Sequence, residues 1–166
     1  MDIFCEQLVA IKNGAARYLL FALLLIAAAA LCIILFICSL EYAFLIFLIV
    51  GVIYGTIKLA ELFFIEYEYI ITNDTVDIDK IIAKKRRKRI VSFETKDILR
   101  TAAPGDTGVA KTVDKVFYCA DKSENACFIV AKKGNAKIAV FIEAGEKFKK
   151  AVTESAPKSI KRDLFV

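Results

Sequence analysis

A chain of 166 residues with 58% apolar residues, a mean hydropathy of +0.56 and a net charge of +5 is too apolar for an ordinary water-soluble domain. It holds no histidine, and its five cysteines include no CxxC pair, which excludes a conventional zinc site and removes the commonest general base. The hydropathy is local: residues 1–60 carry three bases (Lys12, Arg17, Lys58) and three acids (Asp2, Glu6, Glu41), so the positive balance lies in the remaining 106 residues, enough for one compact domain and too few for two.

At the amino terminus, Ile3, Phe4, Leu8 and Ile11 fall near one helical face before Asn13-Gly14 breaks the pattern. The segment 1–14 is expected as a short interfacial amphipathic helix, with a frayed terminus as the alternative. Tyr18 to Leu40 then runs 23 residues without a charge; after Glu41 a second uncharged run reaches Ile57 and continues to Ile65 past only Lys58 and Glu61. A bilayer core of about 30 Å takes roughly 20 apolar residues per helix. Residues 15–65 therefore predict a transmembrane hairpin, with spans at 18–40 and 42–64 joined at Ser39-Leu40-Glu41. A cleaved leader fits poorly, because the run is long and continues at once into a second span. Bases flank the hairpin and its turn has none, which places both termini in the cytoplasm of a multi-pass protein of the cell membrane.

Ala28 and Ala29 lie at the depth of Gly51, and Gly51 and Gly55 make a GxxxG spacing. Small residues mark the face where membrane helices approach closely, so Ala28, Ala29, Gly51 and Gly55 are candidate packing positions. Packing within the hairpin is favoured over dimerisation, since the alanine patch offers a partner in the same chain. Neither run has an ionisable residue deep inside it, which disfavours a transporter.

After Ile65 the period changes from helical to two. Strands are expected at 66–71, at 75–82 with Val76, Ile78 and Ile82 on one side and Asp77 and Asp79 on the other, and at 89–93 with Val91 and Phe93 inward. Residues 94–100 read as a helical turn and 101–112, with Pro104-Gly105 and Gly108, as a loop. Strands resume at 115–120, 126–132 and 137–143, the last two joined by a Gly134-Asn135 turn. A helix follows over 144–155, with Phe148, Ala151 and Val152 on one face, ended by Ala156-Pro157.

Lys84, Lys85, Arg86, Arg87, Lys88 and Arg89 form six bases in succession. Alternate residues of a strand face opposite sides, so the run is expected as a projecting hairpin tip. Near an anionic leaflet each base is worth about 1 kcal/mol, which makes these six the candidate anionic-lipid contact. A solvated loop is the equal alternative; nucleic acid is disfavoured because no aromatic residue interleaves with the bases. No GxSxG, P-loop or GxGxxG is present. No catalytic, cofactor-binding or metal-ligating residue is therefore assigned. Cys119 and Cys127 read as small buried hydrophobes.

The run Glu66-Tyr-Glu-Tyr-Ile-Ile-Thr-Asn-Asp, then Val76-Asp-Ile-Asp-Lys and the bases leading into Ile90-Val-Ser-Phe, resembles the opening of a bacterial pleckstrin-homology-like (PH-like) domain. More narrowly, the chain is similar to a family of two-span membrane proteins from Clostridia-like Gram-positive bacteria. The resemblance implies an α+β architecture: the helical hairpin, then a partly open antiparallel β-barrel of about seven strands over 66–166, closed by the carboxy-terminal helix. Six strands are located above, with 101–113 as the place for a seventh. The resemblance implies no enzyme activity and no cofactor. The expected role is a membrane-tethered interaction module that binds a protein partner or its own copies, with anionic-lipid recognition through 84–89 as the alternative.

Overall fold

The computed structural model describes residues 3–11, 14–39, 41–106, 108–121, 123, 126–158, 160–161 and 164–165. The expected break at Asn13 and Leu40 of the expected hairpin turn lie outside them. In chain order the elements are β1 (Phe4–Ala10), α1 (Ala15–Ser39), α2 (Leu45–Glu61), β2 (Ile65–Thr72), β3 (Thr75–Ile82), β4 (Arg86–Glu94), a 3-10 turn (Thr95–Asp97), β5 (Ile98–Ala102), α3 (Gly108–Thr112), β6 (Lys115–Tyr118), β7 (Ala126–Lys133), β8 (Ala136–Glu143) and α4 (Glu146–Ser155). They form two compact units: residues 1–11 together with 66–166, and residues 12–65.

The first unit corrects the amino-terminal expectation. Phe4–Ala10 is a strand, not an interfacial helix, and pairs antiparallel with β2 from Phe4↔Thr72 to Ala10↔Glu66. Cys5, Gln7 and Val9 turn inward and Phe4, Glu6 and Leu8 outward. The pairing satisfies backbone groups that a helix would satisfy internally, and its partner lies beyond the helical insert, out of reach of local periodicity. The domain is therefore discontinuous, and residues 66–166 alone lack its first strand. Asn73 locks the arrangement. With a φ of 53°, which asparagine tolerates, it donates its N–H to the Ile3 carbonyl at 2.7 Å and accepts from Ile3 N at 3.1 Å on Oδ1.

The first sheet has the order β1-β2-β3-β4 and the second β5-β7-β8-β6. The sheets are not closed into a barrel: each keeps two edge strands, and they meet through side chains. Among the described residues there are eight strands, the two unforeseen ones being β1 and β5. Residues 101–112 are less loop-like than expected, since β5 runs to Ala102 and α3 follows. β6 pairs parallel with β8, an exception to the antiparallel plan.

Tyr69, Ile71, Val76, Ile78, Val91, Ile98, Ile129, Ile142, Phe148 and Val152 form the core between the sheets and α4, all essentially inaccessible to solvent. A second cluster of Val109, Ala126, Phe128, Val130, Ala139 and Phe141 fills the opposite face of the second sheet under α3. With both faces covered, β7 and β8 read as continuous apolar runs. Tyr69 ties the layers together, donating its hydroxyl to the Cys119 carbonyl at 2.7 Å and accepting from Glu143 N at 3.4 Å. Gln7 fastens β1 to the start of α4: Nε2 donates to the Glu143 carbonyl at 2.8 Å and Oε1 accepts from Gly145 N at 2.9 Å. Gly145 is the N-cap of α4, so Gln7 supplies the cap that glycine has no side chain to make.

In the second unit α1 and α2 pack together. Half-buried positions recur on α1 at Phe21, Leu24, Ala28, Cys32 and Leu35, and on α2 at Leu45, Ile49, Val52 and Thr56, the spacing of a two-helix seam. Phe21 meets Phe63 in a tilted contact and Phe64 edge to face, at centroid distances of 5.4 and 5.8 Å. Among the described residues α1 is the one helix long and apolar enough to cross a membrane, with 25 residues at hydropathy 3.2. α2 is shorter than the expected 42–64 span, at 17 residues, because tight i→i+3 turns replace α-helical bonds at both ends, Leu45 N to Tyr42 O and Phe64 N to Glu61 O among them.

Candidate interaction surface

The six bases do not make one tip. Only Lys84 and Lys85 lie in the β3–β4 turn, where Lys85 N donates to the Ile82 carbonyl at 3.0 Å; β4 begins at Arg86. The turn places Ala83 at φ 51° and Lys84 at φ 56°, left-handed conformations that cost a residue with a Cβ about 1 kcal/mol or more each. The strands pair as Ile82↔Arg86, Ile81↔Arg87, Lys80↔Lys88 and Asp79↔Arg89, after which the register shifts to Ile78↔Val91. Ile90 is the extra residue of this bulge. It lets Val91 stay in the core while Arg89 stands beside Asp79 on the outer face.

The arm therefore has two chemically different faces. On the outer face, Arg87 Nη2 lies 2.7 Å from Glu68 Oε1 and 2.6 Å from Oε2, of which only the first contact has hydrogen-bond geometry. Arg89 bonds Asp79 Oδ1 through Nε at 2.6 Å and reaches Asp77 Oδ2 through Nη1 at 2.8 Å. Glu68 and Asp79 are each 2% exposed, so these two arginines neutralise carboxylates the sheet has taken out of water. Burial raises the Glu68 carboxyl above its ordinary value, helped by a hydrogen bond with Glu6 and by the charges of Glu6 and Asp79, against the lowering effect of Arg87. The opposite face carries Lys80, Ile82, Arg86 and Lys88. Among the described residues no ion pair joins an acid to Lys80, Arg86 or Lys88. Lys80 escaped the sequence reading, although it sits at the inward position between Ile78 and Ile82, where an apolar residue would normally stand.

Of the four helix-packing candidates, Ala28 and Gly55 are half-buried on the seam, whereas Ala29 and Gly51 are exposed. A Cβ added at Gly51 or Gly55 would meet no atom within 4 Å, so the GxxxG spacing does not bring the two backbones of this hairpin into close approach. Burial pushes the thiols of Cys119 and Cys127 up to about 12 and about 11, which leaves both protonated at neutral pH.

A four-strand meander packed on a second sheet and buttressed by a carboxy-terminal helix defines a PH-like domain. The chain belongs to the bacterial PH-like domain family (DUF6106), which it matches over residues 1–162. The match takes in β1 and both helices, in keeping with a domain assembled from both sides of the insert, and the family supports a role as an interaction module. No curated protein and no solved structure matches the chain.

Proposed function

We propose that this protein is a membrane-anchored, non-enzymatic interaction module that presents its PH-like domain at the cytoplasmic face of the cell membrane. One observation carries the anchoring: α1 has no buried residue, and large side chains from Leu19 to Ile37 on it and from Ile46 to Leu59 on α2 stand open. An exposed apolar surface of that extent fits lipid and not water. At 1.5 Å per residue α1 extends about 37 Å, and α2 with its flanking turns completes a second crossing. Lys12 ahead of α1, Arg17 in its first turn and Lys58 near the end of α2 favour the cytoplasmic side for both chain ends. The protein-binding role rests on the family and on the open edges β4 and β6, which offer backbone groups to a partner strand.

Two experiments test the anchor. Alkaline carbonate extraction of native membranes is expected to leave the protein in the pellet. A single cysteine at position 41, in a background with the five native cysteines replaced, should react with an impermeant maleimide from outside intact cells, and one at position 135 should not. Extraction into the supernatant, or labelling at 135, refutes the proposal. A second reading, contact with anionic lipid through the β3–β4 arm, is favoured by topology. Ala10 and Glu66, between which the chain leaves for the helices, lie at the end of the meander that carries the β3–β4 turn, because each antiparallel step reverses direction.

A further inference from the structure

Lys80 and Lys88 stand directly opposite each other on β3 and β4, and Arg86 is the next residue of β4 on the same face. Directly paired residues on antiparallel strands have Cβ atoms about 5 Å apart, and like charges in that position repel. The repulsion is sharpened here because Lys80 is half-buried, and its charge reaches the buried Cys119 thiol, whose upward shift it opposes. Water screens Lys80 less well than it screens the exposed Lys88. The outer face of the same arm solves its charge problem internally, with Arg87 and Arg89 matched to Glu68, Asp77 and Asp79. Among the described residues the inner face has no such match.

We propose that Lys80, Lys88 and Arg86 form a binding site for a phosphate-bearing anion on the inner face of the β3–β4 arm. The proposal rests on the anionic-lipid reading of this arm and narrows it. Of the six consecutive bases, Arg87 and Arg89 are structural, while Lys80, outside the run, is a ligand. Two ammonium groups converge on one phosphate from opposite strands, and Arg86 adds a planar fork able to take two of its oxygens. The phosphate is that of a lipid head group or a free phosphate; the chemistry is shared and the source is for experiment.

The second sheet supplies a matched control. Lys132 and Lys137 are also directly opposed, on β7 and β8, but both are exposed, whereas Lys80 is half-buried. The intact protein in neutral detergent micelles is titrated with inorganic phosphate in one arm and with short-chain phosphatidylglycerol in the other, and binding is followed by amide chemical shifts. K80Q/K88Q should weaken binding about tenfold or more, since each base near an anionic surface contributes roughly a fivefold factor. K132Q/K137Q, with the same change in net charge, should leave it within about twofold by the same reckoning. Binding of phosphatidylglycerol alone, lost in K80Q/K88Q, assigns the site to lipid; binding of both ligands, lost in that variant, assigns it to phosphate in general. Equal weakening by the two double variants, or loss with K84Q/K85Q and not with K80Q/K88Q, overturns the inner-face site while the lipid reading stands. No binding of either ligand by the native protein overturns both. The amide spectrum of each variant reports whether it is folded.

Discussion

Tyr69→Phe removes one atom from the centre of the domain and should cost far more than its size suggests. Tyr69 is inaccessible to solvent, and its hydroxyl bridges β2 of the first sheet to the end of β6 and the end of β8 in the second. The substitution keeps the ring, its 5.7 Å contact with Phe148 and the packed volume, so cavity formation contributes little. What is lost is a short bond to the Cys119 carbonyl and a long one from Glu143 N. A buried group left without its partner costs about 1–3 kcal/mol. The 2.7 Å bond deserves the middle of that range and the 3.4 Å contact the bottom, so the total is about 2–3 kcal/mol by that reckoning. For a domain of roughly 100 residues this lowers the melting midpoint by about 10 °C or more. The intact protein in micelles is unfolded with urea and followed by near-ultraviolet circular dichroism, since the chain has six tyrosines and no tryptophan. Hydrogen exchange supplies the local test, because the Glu143 amide loses its acceptor and should exchange faster than neighbouring β8 amides. A Tyr69→Phe protein within about 0.5 kcal/mol of the native one, the ordinary range for a surface change, with Glu143 exchange unaltered, refutes the view that this hydroxyl joins the sheets.

Three further outcomes follow from the same geometry. Gln7→Ala should destabilise the domain by about 2 kcal/mol in thermal melts, by freeing the Glu143 carbonyl and Gly145 N–H; if residues 2–12 were an interfacial helix it would be neutral. Replacing Ala83-Lys84 by Asn-Gly should stabilise by about 1–2 kcal/mol in urea midpoints, because both positions hold positive φ, which these residues accept. Glu68→Gln should flatten the pH dependence of stability. The folded carboxyl is raised above its ordinary 4.5, so its contribution is complete below that value and is lost as pH rises through the raised one; a variant whose urea midpoints keep the native slope above pH 4.5 contradicts the assignment.

Much of this was legible in the chain because it depended on local pattern. The long helix, the strands of 75–82 and 126–143, the Gly134 turn and the buried face of α4 all follow from periodicity and turn chemistry within a dozen residues. What failed was non-local. β1 has helical spacing at Ile3, Phe4, Leu8 and Ile11, and only pairing with β2 beyond the insert makes it a strand. The basic run was misplaced for a related reason. Sequence showed that its side chains must alternate, but not that Glu68, on a strand two positions away in the sheet, would claim Arg87, nor that the Ile90 bulge would deliver Arg89 to Asp77 and Asp79. Of the helix-packing candidates, Ala28 and Gly55 lie on the half-buried rows and Ala29 and Gly51 do not, a difference of helical phase that the GxxxG spacing by itself does not carry.

The strand that sequence missed changes how an anchored domain of this kind would behave. A domain following two spans hangs from one linker and can swing; this domain meets its helical unit at two points, after β1 and before β2, and those strands are hydrogen-bonded neighbours. The two connections constrain one end of the meander, the end bearing Lys80, Lys84, Arg86 and Lys88, because the chain leaves β1 at Ala10 and re-enters β2 opposite it at Glu66 there. Gln7 extends the constraint to the far elements, because it grips the β8–α4 junction from β1 itself. Recognition by the basic arm would then depend on both chain connections rather than on one. Lengthening the two connections separates this from simple tethering. Four Gly-Ser residues inserted after Ile11 and four more before Ile65 would leave the fold intact and release the geometry. If recognition depends on the double attachment, phosphatidylglycerol binding in micelles should weaken while inorganic phosphate binding stays unchanged; if both are unchanged, the second attachment is only a consequence of where the helices were inserted.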